Sequence, residues 1–379
     1  MVEKHRRIGV WSVRTRFLAT LLCSIMTHLR AKHPNIIFLL ADDLSWGSAG
    51  FGPYGENSDM DFVTPTLNSW AEDGIVLSNY YTQESCTPAR AALMTGRYPL
   101  SIGMQYGAVE ATVSWGVNMS ETLFPQVLQR SGKYTNYQLG KWNLGHFSPK
   151  LLPTARGFDY FLGYQSGSTR YWSKQCPDTY HSSKRGHDDN DDDNDNNDDA
   201  ENTNNFIDLI YGDGSCYSGY DGSDLHKYST YLYRDKAVKI INKHNYEDKS
   251  LFLYVSFQAV HDPFEDNGKY ESGVPKTYVG SSMYKKIKKH VDGRKRRQYA
   301  MSLYLMDEAI AKIAKAVDKV GQMDNTYFIF TSDNGGCYTA GGRNGPLRGN
   351  KGELSPLTNP PILYPKPNPT LSPSTLPPL

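Results

Sequence analysis

"NIIFLLADD", residues 35–43, is an apolar run of strand length that stops on two adjacent carboxylates, Asp42 and Asp43. A continuous apolar run closed by polar residues suits a strand buried on both faces. Three further segments share the pattern: "YTNYQLGKWN" (134–143) runs into Lys141, "LFLYVSFQAVHDP" (251–263) runs toward His261, and "TYFIFTSDNGG" (326–336) runs into Asp333-Asn334. Helical patterns separate them, most clearly Tyr299 to Val320, with Met306, Ile310, Ile313, Ala314 and Val317 on one stripe. Strands alternating with helices predict an α/β fold: a mostly parallel or mixed central sheet with helices on both faces. Such sheets take ligands outside the carboxyl ends of their strands, so the four polar clusters should face one crevice.

The chain has 379 residues, 39% of them hydrophobic, enough for one large domain or two smaller ones, and its formal charge of +1 argues against a nucleic-acid partner. Lys4, Arg6, Arg7, Arg14 and Arg16 precede the short apolar run "FLATLLCSIM" (17–26), so residues 1–30 read as a cleaved signal peptide. The run is too short for an ordinary membrane span, and no stable span is expected. The sequon Asn118-Met119-Ser120 fits a lumenal route. Of the five cysteines, Cys23 falls in the signal-like stretch, and Cys176 and Cys216 could pair in an oxidising lumen. No C-x-x-C is present, which argues against structural zinc. The acidic stretch 187–202 lacks the glycine and terminal glutamate of a calcium-binding EF-hand loop and reads as a solvated insertion. Residues 355–379 are so rich in proline that no strand is expected after Lys351.

Asp42, Asp43, Asp333 and Asn334 are either turn residues at strand ends or hard oxygen ligands for Ca²⁺ or Mg²⁺. In "ESCTPARAALMTGRYP" (84–99), Pro88 suits a first helical turn, which puts Cys86 at or just before a helix N-terminus. Free backbone N–H groups and a partial positive charge there suit an anion.

The run C-x-P-x-R from Cys86, with the following "AALMTGRYP", resembles the signature of type I sulfatases. "PNIIFLLADDLSWG", "GKWNLG", "RGFDYFLGY", "QAVHDPF", "MDEAI" and "GGRNGPLRGNKG" are similar to motifs of that family in the same order, closest to the arylsulfatase B branch, over Pro34 to Gly352. The resemblance implies an alkaline-phosphatase/sulfatase-like catalytic domain over 34–354, with 355–379 a non-family tail and the C-terminal subdomain absent. It implies that Cys86 is oxidised by a formylglycine-generating enzyme to an aldehyde. One hydroxyl of its hydrate attacks sulfur and the other expels sulfate. It further implies one Ca²⁺, or Mg²⁺, held by Asp42, Asp43, Cys86, Asp333 and Asn334. Arg90 would hold the hydrate, Lys141 and Lys351 would neutralise the sulfate, and His261 would assist the leaving alcohol. Asn143 stands where the family has a histidine, and a carboxamide cannot take a proton near neutral pH. The expected substrate is an aryl sulfate or a sulfated sugar, met in the secretory pathway by a lysosomal or secreted protein. The alternative is an impaired relative that keeps metal and sulfated-glycan binding. A basic stretch, Lys285 to Lys289 and Arg294 to Arg297, reads either as a grip for a polyanionic glycan or as a solvated loop and helix start.

Overall fold

The computed structural model describes residues 33–51, 59–176, 206–213, 217–219, 225–264, 274–345 and 347–353, and the backbone of 362–365. The signal-like stretch, the acidic insertion, Cys216 and most of 355–379 lie outside them. Among the described residues, one sheet contains nine strands. They are β1 (Asn35–Ala41), β2 (Gly74–Leu77), β3 (Tyr134–Gly140), β4 (Tyr160–Gly163), β5 (Ile210–Gly212), β6 (Tyr217–Gly219), β7 (Ser250–Ser256), β8 (Thr326–Ser332) and β9 (Ile362–Pro365). The order across the sheet is β2-β9-β8-β1-β7-β3-β4-β5-β6. Its centre, β8-β1-β7-β3-β4, is parallel, and both edges are antiparallel. The mixed α/β architecture expected from the apolar runs is the one observed.

Alternation along β1 splits the core. Ile37 and Leu39 pack on one face with Leu253 and Val255. The helices over that face are α4 (Ser229–Lys243) and α6 (Arg294–Lys319), which bury Leu232, Ile241, Ile310 and Ile313. Phe38 and Leu40 point the other way, toward Ala91 and Met94 of α2 (Cys86–Thr95) and toward Leu123 beside α3 (Phe124–Arg130). Between them, α1 (Pro65–Asp73) flanks the β2 edge and α5 (Ser282–His290) precedes α6. The α6 stripe is buried as expected, but the helix starts at Arg294, after Gly293 at φ 80°, not at Tyr299. Its first turn is basic, with Arg294 and Lys295 exposed, so it adds no apolar period to the pattern.

The proline-rich tail departs from expectation. Residues 362–365 form β9, which pairs antiparallel with β2 and, at Leu363 opposite Phe330, with β8. The prolines sit at 360, 361 and 365, so Ile362-Leu363-Tyr364 keep their N–H groups for the ladder, and Pro365 takes a strand end, where the missing donor is tolerated. The β8 edge is therefore covered. Among the described residues, no helix is long and apolar enough to cross a membrane.

Asp307 in α6 ties the two ends of this packing together. Its Oδ2 and Oδ1 accept hydrogen bonds from the Thr66 and Leu67 N–H groups, each at 2.9 Å, and so satisfy donors in the first turn of α1. Burial pushes its carboxyl up to about 6 against those two bonds. A raised folded value means the folded chain holds the extra proton, so this group's contribution falls as pH rises from about 4 through 6. Asp307→Ala is expected to cost about 1–2 kcal/mol, as loss of a cap does, read as a lower urea midpoint. Asp307→Asn should flatten the slope between pH 4 and 6.

Candidate active site

Register places the polar residues. Ala41 pairs with Ser332, and Gly140 pairs with Ser256, so the residues that leave β1, β8 and β3 emerge side by side. Asp42 leaves β1, Asp333 leaves β8 and Lys141 leaves β3. Their backbones are tied at this end: the Asp333 N–H donates to the Ala41 carbonyl at 3.1 Å and the Lys141 N–H to the Ser256 carbonyl at 3.0 Å. Gly140 has φ +90°, and a Cβ there would meet the Ser256 oxygen at 1.8 Å, so only glycine lets β3 come this close. The side chains converge at the carboxyl ends of the strands, as expected.

Cys86 opens α2 and is 2% exposed. Its Sγ lies 3.5 Å from Asp42 Oδ1. Lys141 Nζ donates to Asp42 Oδ2 at 2.7 Å, with both side chains fully buried. One turn into α2, Arg90 grips Asp333 Oδ2 through Nε at 3.0 Å and a terminal nitrogen at 2.8 Å, and its other terminal nitrogen donates to Ser256 Oγ at 2.5 Å. Asp43, at φ 59°, receives Asn334 Nδ2 on Oδ1 and Lys351 Nζ on Oδ2, each at 2.7 Å. Lys351 Nζ is also 2.7 Å from His261 Nε2. An ammonium can only donate, so Nε2 accepts and the ring carries its proton on Nδ1, which donates to the Asp262 carbonyl. His261 and Lys351 are the partly exposed members, at 13% and 19%, and mark the mouth.

Three buried carboxylates thus face three cations. Burial would raise the Asp42 carboxyl, but Lys141 and then Arg90 work against it and hold it below the ordinary range. Asp43 is likewise lowered, the Lys351 ammonium working against its burial. Depressed folded values contribute stability above about pH 4, and that contribution is lost as pH falls through them. Lys141 is raised because Asp42 more than offsets burial. Burial pushes the Cys86 thiol well up, with Lys141 and Lys351 opposing only in part. A thiol held protonated in this way is a poor nucleophile as sulfur.

The donor set fits a divalent cation. Ligand atoms of Asp42, Asp43, Cys86 and His261 lie within 4.8 Å of one another. Asn334 Oδ1 is buried with no hydrogen-bond partner, while its Nδ2 is fixed by Asp43 and the Gly335 carbonyl. A buried carbonyl oxygen without a donor, next to carboxylates, suits a hard metal. Asp333 adjoins this group and is engaged by Arg90 and by the N–H groups of Asp43 and Asn334.

Asn143 is fully buried at φ 56°. Its Oδ1 accepts from Thr87 Oγ1 at 2.7 Å and its Nδ2 donates to the Val109 carbonyl at 2.8 Å, which pins the 109 loop to the start of α2. Some positioning residues escaped the sequence reading. The Tyr299 hydroxyl accepts from the Ser45 N–H and donates to the Asp43 carbonyl, clamping the turn after β1. Tyr171 donates to the His261 carbonyl at 2.9 Å. Ser256 could have been found as the polar residue closing β7; the two tyrosines carry no such signal. A cavity of about 400 Å³ lies on the flank of α2, lined by Ala89, Leu93, Tyr98, Thr331 and Asp333, and its lining does not include Lys141, His261 or Lys351. In the basic stretch, Arg296 is buried and bound to Asp59, Ser48 and the Gly341 carbonyl, whereas Lys285, Lys286, Lys289 and Lys295 face solvent.

Comparison with known proteins adds independent findings. The family described as Sulfatase matches residues 34–363. Arylsulfatase J of Mus musculus is 34% identical over 321 residues, covering 85% of this chain and 46% of that protein. N-acetylgalactosamine-6-sulfatase of Rattus norvegicus is 30% identical over 331 residues, covering 83% of this chain and 53% of that protein. The chain spans about half the length of these relatives. Among solved structures, Ps i-CgsB superposes with a TM-score of 0.66 at 27% identity, covering 88% of this chain and 66% of that one. The same protein has been solved with k-i-k-neocarrahexaose bound. These relatives extend the likeness beyond the arylsulfatase B branch that the motifs resemble.

Proposed function

The chain belongs to the sulfatase family, and from that premise we propose that it is a sulfuric ester hydrolase that acts on an aryl sulfate or a sulfated sugar, with Cys86 converted to formylglycine. The observation that carries this reading is Cys86 at the N-terminus of α2, 3.5 Å from Asp42 and ringed by Arg90, Lys141 and Lys351. The raised thiol supports a precursor over a working thiolate.

The aldehyde hydrate would supply two hydroxyls at this position, one to attack and one to expel sulfate. Asp42, Asp43, Asp333 and Asn334, with the converted residue 86, would hold a calcium ion, which supplies Lewis-acid polarisation of a sulfate oxygen when bound. Lys141 and Lys351 balance negative charge on the transferred group, and the buried setting makes that balance stronger than it would be in water. Arg90 fixes Asp333 and the first turn of α2, so the attacking position is held without reorganisation. At the mouth, Lys351 Nζ holds a proton against His261 Nε2, where the leaving oxygen would depart. Asn143 spends both polar atoms on Thr87 and Val109, and its carboxamide cannot accept the proton of the second hydroxyl. Asn143→His should therefore speed steady sulfate release without enlarging the first burst of alcohol. Passage through the secretory pathway follows from the conversion of Cys86, and the exposed lysines of α5 and the start of α6 suit a sulfated glycan.

The test is sulfate release from 4-nitrophenyl sulfate and from a sulfated disaccharide by the full chain, co-expressed with a formylglycine-generating enzyme. Peptide mass spectrometry should show the aldehyde at residue 86. Full conversion with no release of sulfate from either substrate would overturn the reading. Millimolar calcium should raise Tm over EDTA by on the order of 5 °C, and equal values would remove the metal from the account.

A further inference from the structure

We infer that Asn118 is a built N-glycosylation site, its side-chain amide accepting one oligosaccharide. The sequence holds one Asn-x-Ser/Thr triplet with x other than proline, Asn118-Met119-Ser120. A triplet alone says nothing about whether the folded protein can carry a sugar. The structure supplies that part.

Asn118, Met119 and Ser120 are all exposed, with Met119 at 55%, directly after Val117, which is buried and whose N–H donates to the Leu144 carbonyl at 2.9 Å. The three residues open a turn closed by the Glu121 N–H donating to the Asn118 carbonyl at 3.0 Å. Within it the Asn118 Oδ1 accepts twice, from the Ser120 N–H and from the Ser120 hydroxyl, both at 3.0 Å. The turn is anchored beyond itself by Glu121. Arg97, just past the end of α2, donates to both its carboxylate oxygens at 3.1 and 2.9 Å, and Arg156 donates to its carbonyl at 2.8 Å. The acceptor atoms of Asn118 are thus used locally, while Nδ2 has no partner among the described residues.

That division suits the reaction. Nδ2 attacks C1 of the first sugar of an oligosaccharide carried on a lipid diphosphate. The C1–N bond forms, the C1–O bond to the diphosphate breaks, one amide proton is lost, and the lipid diphosphate departs. No oxidant is needed. A substituent on Nδ2 displaces no hydrogen bond and enters no packed space, so the folded chain keeps the turn and its anchors. The sugar would cover Met119, an apolar side chain otherwise in water.

The inference does not depend on sulfatase activity; it needs only a glycosylating lumen, and the test provides one. The full chain is fused behind a secretory signal of known efficiency and translated with endoplasmic-reticulum microsomes. One protease-protected species should run heavier by a single core glycan and return to the unmodified mobility with endoglycosidase H. Asn118→Gln and Ser120→Ala should each abolish the shift, and Ser120→Thr should retain it. Because attachment reads the local triplet, a folding defect in one variant does not mimic its loss in both. A protected chain with no shift would overturn the site, as would a shift that survives Asn118→Gln. Glycosylated chain purified from secreting cells should melt with the same Tm before and after endoglycosidase treatment; recovery of the glycoform only as unfolded aggregate would overturn the claim that the fold accommodates the sugar.

Discussion

Cys86→Ser is expected to release at most one equivalent of alcohol and then stop, with steady sulfate release lower by on the order of 10⁴-fold or more. The geometry at the start of α2 is kept, since serine is smaller than cysteine and the site is buried. A serine offers one hydroxyl. It can take the sulfuryl group once, but it has no second hydroxyl to expel it, and with Asn143 nearby no side chain there activates water in its place. Rapid-quench measurement of alcohol and sulfate on the same sample decides the matter. Equal steady rates of both products from the serine variant would sink the two-hydroxyl account, whereas an intact mass heavier by one sulfuryl group would support it.

Arg90→Met is expected to lower folding stability in EDTA by about 3–5 kcal/mol, the range for breaking a buried ion pair by removing one partner. Arg90 is 1% exposed and holds Asp333 through two nitrogens, with Asp42 Oδ1 3.6 Å from one of them. Methionine fills much of the same volume but leaves the Asp333 carboxylate uncompensated and Ser256 without its donor. The deficit should shrink in calcium, which would take over part of the negative charge. Urea denaturation at pH 7, with and without calcium, measures both. A loss under about 1 kcal/mol at pH 7 in EDTA would mean that another cation reaches Asp333.

Much of this site could be read in the chain because apolar runs of strand length end on it. Asp42 and Asp333 follow "NIIFLLA" and "TYFIFTS" directly, and the parallel pairing of Ala41 with Ser332 makes the two endings neighbours. Cys86 was legible through Pro88, which marks a helix start. Tyr299 was not, because its partners at Asp43 and Ser45 lie more than 250 positions away and a tyrosine on a helical stripe looks like core. Nor was the left-handed backbone of Asn143, whose N–H donates to the Gln165 carbonyl and whose carbonyl accepts from Thr87, both supplied by other segments of the chain. The strand at Ile362–Pro365 was hidden by proline density, which describes a segment on average, whereas pairing needs only the few N–H groups that point at a neighbour.

The burial of α2's first turn also fixes an order of events. Cys86, Thr87, Pro88, Ala89 and Arg90 are all buried once the sheet is assembled, so no enzyme can read that pentapeptide on the finished protein. Any modification of Cys86 has to happen on a chain that is still open. The topology leaves time for it: β1 completes its pairing only when β8 arrives, with Asn35 bonding Thr326 across 291 positions. Parallel sheets joined by such distant contacts close slowly. During synthesis the pentapeptide emerges long before residue 326, and the chain remains a substrate for its own maturation until the last central strand docks.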